Sequence, residues 1–293
     1  MLTLEDYKKM NNPELDVDEY MDILSKADVY DSYLLKLQDR FKKIEFDKYY
    51  LSYSGGKDSH FLYWFIKEIL QDDKIEIVGV NTYMEHHEIL KRILKNCDRV
   101  LKPAMKPLEI KEKYGIPCFS KLQDEIISRY QNGSRTPNTM AGVTGEGRVM
   151  FKLNKKAKEL LLNNKLHKIS NKCCKVIKKD TLHQYEKESG KQAILGVRGS
   201  EGALRKSRYT SCFSKKGMFT PLWDMTDNIM DELCKRHDIE IPHVYNFIER
   251  TGCMGCPYGR NTEKELSLIN DNQKKFVCEY FKESYEVLGV KTN

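Results

Sequence analysis

Apolar positions along the chain follow two different periods, and the switch between them outlines the architecture. Over residues 16–43, Tyr20, Ile23 and Leu24, then Leu34, Leu35, Leu37 and Phe41, recur near helical spacing and predict two helices. At DKYYLSYS the period changes: the run is rich in aromatics and ends in Gly-Gly, as a strand entering a tight turn does. KDSHFLYWFIKEIL then reads as a strongly apolar helix, KIEIVGVNT as a second strand, EHHEILKRILKN as a helix and RVLKP as a short strand. KPLEIKEKYG is a further helix, stopped by Gly115 and Pro117. Strand, helix, strand, helix, strand predicts the α/β class, a parallel twisted sheet with helices on both faces.

Farther along, residues 131–148 (QNGSRTPNTMAGVTGEGR) are the one long Gly/Thr/Asn-rich segment and read as a mobile loop or lid. MFKLNKKAKELLLNN resumes as a basic helix, QAILGV as a buried strand, and TDNIMDELCKRH as a helix capped by Thr226. Thr262 to Glu265 has the form of a capping box for a last helix running on through KKFVCEYF. The expected organisation is a helical extension over 1–44, an α/β domain over 45–250, and a C-terminal segment over 251–293 with a CxxC and a helix packed on the main domain.

Composition narrows the class. With 293 residues, 40% hydrophobic and 32% charged, the chain suits a globular protein with a sizeable core and not a disordered one. The N-terminus shows no apolar run behind a basic start, and no stretch approaches the roughly 20 apolar residues of a membrane span. A cytoplasmic chain without a membrane segment is therefore expected. There an odd count of nine cysteines argues against a disulfide framework and for metal or redox use. The net charge of +7 is uneven: Glu5, Asp6, Glu14, Asp16, Asp18, Glu19 and Asp22 make the start acidic, while Arg148 to Lys179 is crowded with lysine. A basic face attracts nucleic acid or phosphorylated small molecules, but a solvated helix face is the simpler account, so charge does not decide function.

The turn LSYSGGKDSH, residues 51–60, has glycines, a lysine and a serine, but not the GxxxxGK[ST] spacing of the common phosphate loop. A strand running through this turn into a helix presents backbone N–H groups and the positive end of the helix dipole to phosphate oxygens. Gly55 and Gly56 permit close approach, Ser54 and Ser59 add hydroxyls, and Lys57 adds charge. Downstream, Arg198, Arg205 and Arg208 offer planar bidentate donors, although Glu201 and Arg205 also stand at i,i+4 for a simple intrahelical pair. Cys173 and Cys174 are adjacent, and Cys253 and Cys256 form a CxxC. By itself the CxxC reads as one turn of a zinc site, a redox pair or chance, and zinc sites generally take two spaced pairs, so the adjacent pair fits tetrahedral zinc poorly. Cys212 lies between the pairs as an alternative ligand, and Lys172, Lys175, Lys178 and Lys179 are expected to lower the thiol pKa values. Cys97, Cys118, Cys234 and Cys278 read as small core residues.

SYSGGKDS resembles the SGGxDS motif of the N-type ATP pyrophosphatases, the PP-loop or adenine nucleotide alpha hydrolase superfamily. GVRGSEGALR is similar to the G-x-R-x-x-E-S-x-x-R of the PAPS reductase-like branch, with Gly202 in place of the serine. PLWDMTDNIMDEL is similar to its P-x-x-x-W-T-x-x-D-V, with Met225 where tryptophan is usual. CC followed by a distant CxxC resembles the 4Fe–4S pattern of adenylylsulfate reductases. The resemblance runs from about residue 47 to about 260.

It implies nucleotide or phosphate binding by Ser54, Gly55, Gly56, Lys57, Asp58, Ser59, Gly196, Arg198, Glu201 and Arg205. Lys57, Asp58, Arg198 and Arg205 are the implied catalytic residues, with Mg²⁺ on the phosphates and ATP or a sulfonucleotide as the ligand. Reductases of this branch attack with a cysteine in a C-terminal tail, and no cysteine follows Cys278 here. The resemblance therefore favours an ATP pyrophosphatase that adenylates a substrate for sulfur transfer, with a nucleic-acid or small-molecule acceptor and a sulfur donor or thioredoxin-like partner. The alternatives are a sulfonucleotide reductase using Cys212 or a partner's thiol, and a nucleotide-binding subunit or sensor without turnover.

Overall fold

The computed structural model describes residues 1–147, 151–249 and 251–292; Arg148, Met150 and Arg250, which edge segments named above, lie outside them. Three helices, α1 (Leu4–Met10), α2 (Val17–Ser25) and α3 (Val29–Phe41), lead into β1 (Tyr49–Tyr53). Then α4 (Lys57–Trp64), β2 (Glu76–Val80), α5 (His87–Asn96) and β3 (Arg99–Leu101) alternate as the pattern predicts. Helices α6 (Pro107–Tyr114), α7 (Lys121–Gln131), α8 (Pro137–Thr144), α9 (Lys155–Leu162) and α10 (Thr181–Ser189) precede β4 (Gln192–Ile194). The remaining helices are α11 (Ala203–Arg208), α12 (Asp227–Arg236), α13 (Thr262–Ser267), α14 (Asp271–Tyr280) and α15 (Lys282–Leu288).

The four strands are parallel in the order β3-β2-β1-β4, with Leu51 opposite Ile77 on one side and Ile194 on the other. Along β2, Ile77, Val78, Gly79 and Val80 are buried in succession, which requires cover on both faces of the sheet. The α/β class follows. The chain runs from β1 outward through β2 to β3, then returns to place β4 on the far side of β1. The carboxyl ends of β1 and β4 thus form a topological switch point, where such sheets open a crevice for ligands.

Contacts divide the chain into two compact units. The first comprises Met1–Val80, Glu88–Leu101 and Gln184–His243; the second comprises Asn81–His87, Lys102–His183 and Val244–Asn293. These units cut across the three spans drawn from the sequence. Residues 1–44 belong with the sheet, tied there by Arg40, whose guanidinium reaches both Asp224 oxygens at 2.7 and 2.6 Å, and by Arg236 on Asp28 at 2.6 Å. Phe41 packs on Phe65 and Phe219 with ring centroids 5.4 and 5.1 Å apart. In the second unit, Cys118, Ile127, Val143, Leu153, Ala157, Leu161 and Ile169 form a core of their own.

Two local expectations are corrected. The segment read as a loop or lid contains α8: Thr136 accepts the Thr139 N–H as N-cap, Pro137 takes the first turn, and Gly145 ends it at φ +82°. Cap and stop residues made a short helix look like loop composition. The last helix is three helices, and Thr262 is not a cap. Its hydroxyl donates to the Cys256 carbonyl at 3.3 Å, while Glu265 takes the Gly255 N–H at 3.0 Å, so both polar groups serve the CxxC turn. Among the described residues, no helix is long and apolar enough to cross a membrane.

Candidate functional site

In the first unit, β1 delivers Ser54–Ser59 to the switch point. Gly55 takes φ +73°, and a Cβ there would meet the Ile89 carbonyl oxygen at 2.9 Å, so only glycine makes this turn without strain. Ser59 holds the turn from within: its Oγ accepts the Ser54 N–H at 3.2 Å and donates to the Gly56 carbonyl at 3.1 Å. With Gly56 at the N-cap, no side chain caps α4, which leaves the start of the helix open to an anion. From β4 comes the opposite wall. A Cβ on Gly196 would lie 2.9 Å from the Asp58 carbonyl carbon and the Ser59 nitrogen, so this glycine lets the two turns touch.

Arg198 is nearly fully buried. Its Nε donates to Asp58 at 2.7 Å, and its Nη1 donates to Asp227 at 2.5 Å and to Ser200 at 3.2 Å. Burial pushes the Asp58 carboxyl above the usual range, against the pull of Arg198 and, more weakly, of Lys57 and Arg205. Lys57 donates to Asp231 at 2.8 Å. Arg205 is paired with Glu201 in the next turn, as the i,i+4 spacing allows, and Arg208 is exposed. Arg198 therefore orders the loop through its carboxylates. The residues the sequence reading missed are Asp227 and Asp231. They stand four apart on the first turns of α12, and that spacing of carboxylates on one helix face was the available signal.

The second unit gathers the other candidates. Cys173 and Cys174 lie near Cys253 and Cys256, each pair within the electrostatic reach of the other. The CxxC turn is pinned: Met254 N–H donates to the Met84 carbonyl at 2.8 Å, and the Tyr285 hydroxyl donates to the Gly255 carbonyl. The thiol chemistry departs from expectation. Burial pushes Cys173 up to about 12, with repulsion from Cys253 and Cys174 adding to it, and burial also raises Cys253 and Cys256. Of the four nearby lysines, Lys175 pairs with Asp180 at 3.5 Å and Lys172 sits over the Tyr114 ring at 4.8 Å. Lys178 lies within electrostatic reach of the thiols. Its own pKa is raised chiefly by Cys253, and the lowering it exerts on Cys253 is smaller than the effect of burial. Cys212 belongs to the first unit, while Cys118 is buried in the core of the second.

Four thiols from two separate segments are the donor set that a metal centre in this unit would use. Tetrahedral zinc with thiolates at about 2.3 Å brings its sulfurs to roughly 3.8 Å of one another. Among the described residues, no cysteine belongs to a set of three candidate ligand atoms all within 4.8 Å. The buried Tyr280 hydroxyl lies beside Cys173, where it favours the thiolate form of that sulfur.

Residues 143–258 match the family model of the phosphoadenosine phosphosulfate reductase domain, a span that takes in both cysteine pairs and the Gly196–Arg205 turn but not the 51–60 stretch. Among solved structures, the phosphate complex of phosphoadenylyl-sulfate (PAPS) reductase from Candida auris matches at 11% identity and TM-score 0.41, covering 80% of this chain and 91% of that one. NH3-dependent NAD synthetase from Campylobacter jejuni subsp. jejuni NCTC 11168, with nitrate ion, matches at 14% identity and TM-score 0.38, covering 88% and 94%. No curated protein is significantly similar to the chain.

Proposed function

We propose that this chain, which carries a phosphoadenosine phosphosulfate reductase domain match over residues 143–258, binds an adenine nucleotide at residues 54–59 and uses it to adenylate a substrate for sulfur transfer. The observation that carries this reading is the meeting of the Ser54–Ser59 turn with Gly196 and Arg198 at the β1/β4 switch point. The uncapped start of α4, with the Ser54 and Ser59 hydroxyls and Lys57, receives the terminal phosphates of ATP. Arg198 fixes the Asp58 carboxylate beside them, and Glu201 holds Arg205 in the adjoining turn. A substrate oxygen attacks the α-phosphorus, the bond to the bridging oxygen breaks, and pyrophosphate leaves. Sulfur then displaces AMP from the activated carbon or phosphorus. Mg²⁺ on the phosphates would neutralise charge developing on the leaving group.

Cys173, Cys174, Cys253 and Cys256 would hold a 4Fe–4S cluster, which when bound supplies redox capacity or a place to carry sulfur. Lys178 offsets the charge of the thiolates. A reducing cytoplasmic setting, a nucleic-acid or small-molecule acceptor and a sulfur donor complete the reading. The test is pyrophosphate release from ATP with and without candidate RNA or DNA. Release that requires Arg198 and Lys57 supports it.

The family name favours a second reading, reduction of a sulfonucleotide with Cys212 or a partner protein's thiol as nucleophile. Sulfite released from adenylylsulfate in the presence of thioredoxin, with no pyrophosphate from ATP, selects it. Tight nucleotide binding with neither product identifies a subunit without turnover.

A further inference from the structure

Outside the Ser54–Ser59 turn, the first unit contains an open cavity of about 440 Å³ lined by Lys36, Asp39, Arg40, Lys43, the Thr210–Cys212 segment and Trp223. We infer that this cavity is a binding site for an oxyanion head group, sulfate or phosphate, on a small organic body, held against the Cys212 thiol.

Charge is the first support. Of the lining residues Lys36, Arg40 and Lys43 are cationic and Asp39 is anionic; behind them Asp224 accepts from Lys36 at 2.8 Å and bidentately from Arg40, and Lys42 pairs with Asp39 at 3.1 Å. Three lining cations against one lining anion leave a local excess of two, and among the described residues Lys43 has no ion-pair partner. Construction is the second. Arg40, almost wholly buried, is fixed by Asp224, the Pro221 carbonyl at 2.5 Å and the Tyr33 hydroxyl at 3.4 Å, so a guanidinium is held at the cavity wall before any ligand arrives. The third is an unmet donor: the Trp223 indole N–H is buried in that wall without an acceptor.

The loop bearing Cys212 is equally fixed. Its carbonyl accepts the Thr220 N–H at 2.7 Å, and the Thr220 hydroxyl donates to the Ser211 carbonyl at 2.9 Å. The Gly199 N–H donates to the Trp223 carbonyl at 2.9 Å, which couples the cavity wall to the turn carrying Arg198. The volume exceeds that of a bare sulfate or phosphate, so the ligand class includes an attached body.

Two readouts on the full chain test the site. In a Trp64→Phe variant Trp223 is the sole tryptophan, and titration with inorganic sulfate, inorganic phosphate or a small alkyl sulfonate is expected to shift its emission saturably. In the unmodified chain, the same probes are expected to slow alkylation of Cys212, located by peptide mass spectrometry, at least ~3-fold. Lys43→Ala is expected to weaken both effects ~5-fold or more, as loss of a charge-assisted contact does. Lys57→Ala, in the Ser54–Ser59 turn, is expected to leave them intact, which keeps this site distinct from that one. Equal effects from sodium chloride at matched ionic strength would show screening only and overturn the inference. So would an unchanged response in Lys43→Ala, or protection of Cys212 by an oligonucleotide and not by the small probes. If the Trp64→Phe chain fails to fold, the alkylation readout decides alone.

Discussion

His60, in the first turn of α4, is partly buried with its Nδ1 bonded to the Tyr53 hydroxyl at 2.9 Å, and Asn96 donates to the same hydroxyl at 2.9 Å. Burial, with Arg92 and Lys95 nearby, lowers its pKa to about 4 from 6.5. The unfolded chain therefore binds the proton first, and stability falls as pH drops from about 6.5 through 4, by at most about 3 kcal/mol. Urea midpoints between pH 7 and 4 are expected to show this loss, and His60→Gln to flatten it.

Arg198 supplies a second residue-level prediction. Arg198→Met strands the Asp58 carboxylate and is expected to cost about 3–5 kcal/mol, with much of it recovered in Asp58→Asn/Arg198→Met. A double-mutant cycle in urea measures the coupling. The turn itself was legible, because a glycine pair between a strand and a helix predicts a tight turn and Gly55 and Gly56 make one. The direct partner of Arg198 was not: the sequence shows an arginine suited to an anion, and burial decides that the anion is the protein's own Asp58.

At the scale of elements, α8 and the run from α13 to α15 differ most from the sequence reading. Thr136→Ala is expected to cost about 1 kcal/mol and to speed amide exchange over 137–144, because it removes the oxygen that accepts the Thr139 N–H. Free exchange over that segment in the native chain would contradict the helix. The strands and long helices were readable from period alone, since burial on one or both faces writes itself into the sequence. The cap at Thr262 misled because the capping-box pattern is satisfied equally by side chains that turn outward to a neighbouring loop. Glu265 and Thr262 do so at Gly255 and Cys256.

For the whole molecule, the cysteines give the decisive measurement. Anaerobically purified protein is expected to be brown, with iron and sulfide near four each per chain, roughly as one 4Fe–4S cluster requires. Cys173→Ser and Cys256→Ser should each lose most of both, and Cys212→Ser should lose neither. Colourless protein with one zinc per chain would reject the cluster. The class of fold was legible from the alternation of strands and helices. The division into units was not, because each unit is assembled from three separated segments and no local composition marks those joins.

The meeting of Cys173 and Cys174 with Cys253 and Cys256 also sets a timetable for synthesis. The adjacent pair leaves the ribosome roughly 80 residues before the CxxC, an interval of roughly 4–16 s at usual elongation rates. During it, two neighbouring thiols wait without their partners, open to any oxidant or stray metal the cell supplies. The yield of correctly assembled protein is therefore expected to depend on oxygen and on how fast the roughly 80 residues between the two pairs emerge, and slowing translation just beyond Asp180 is the direct way to see it.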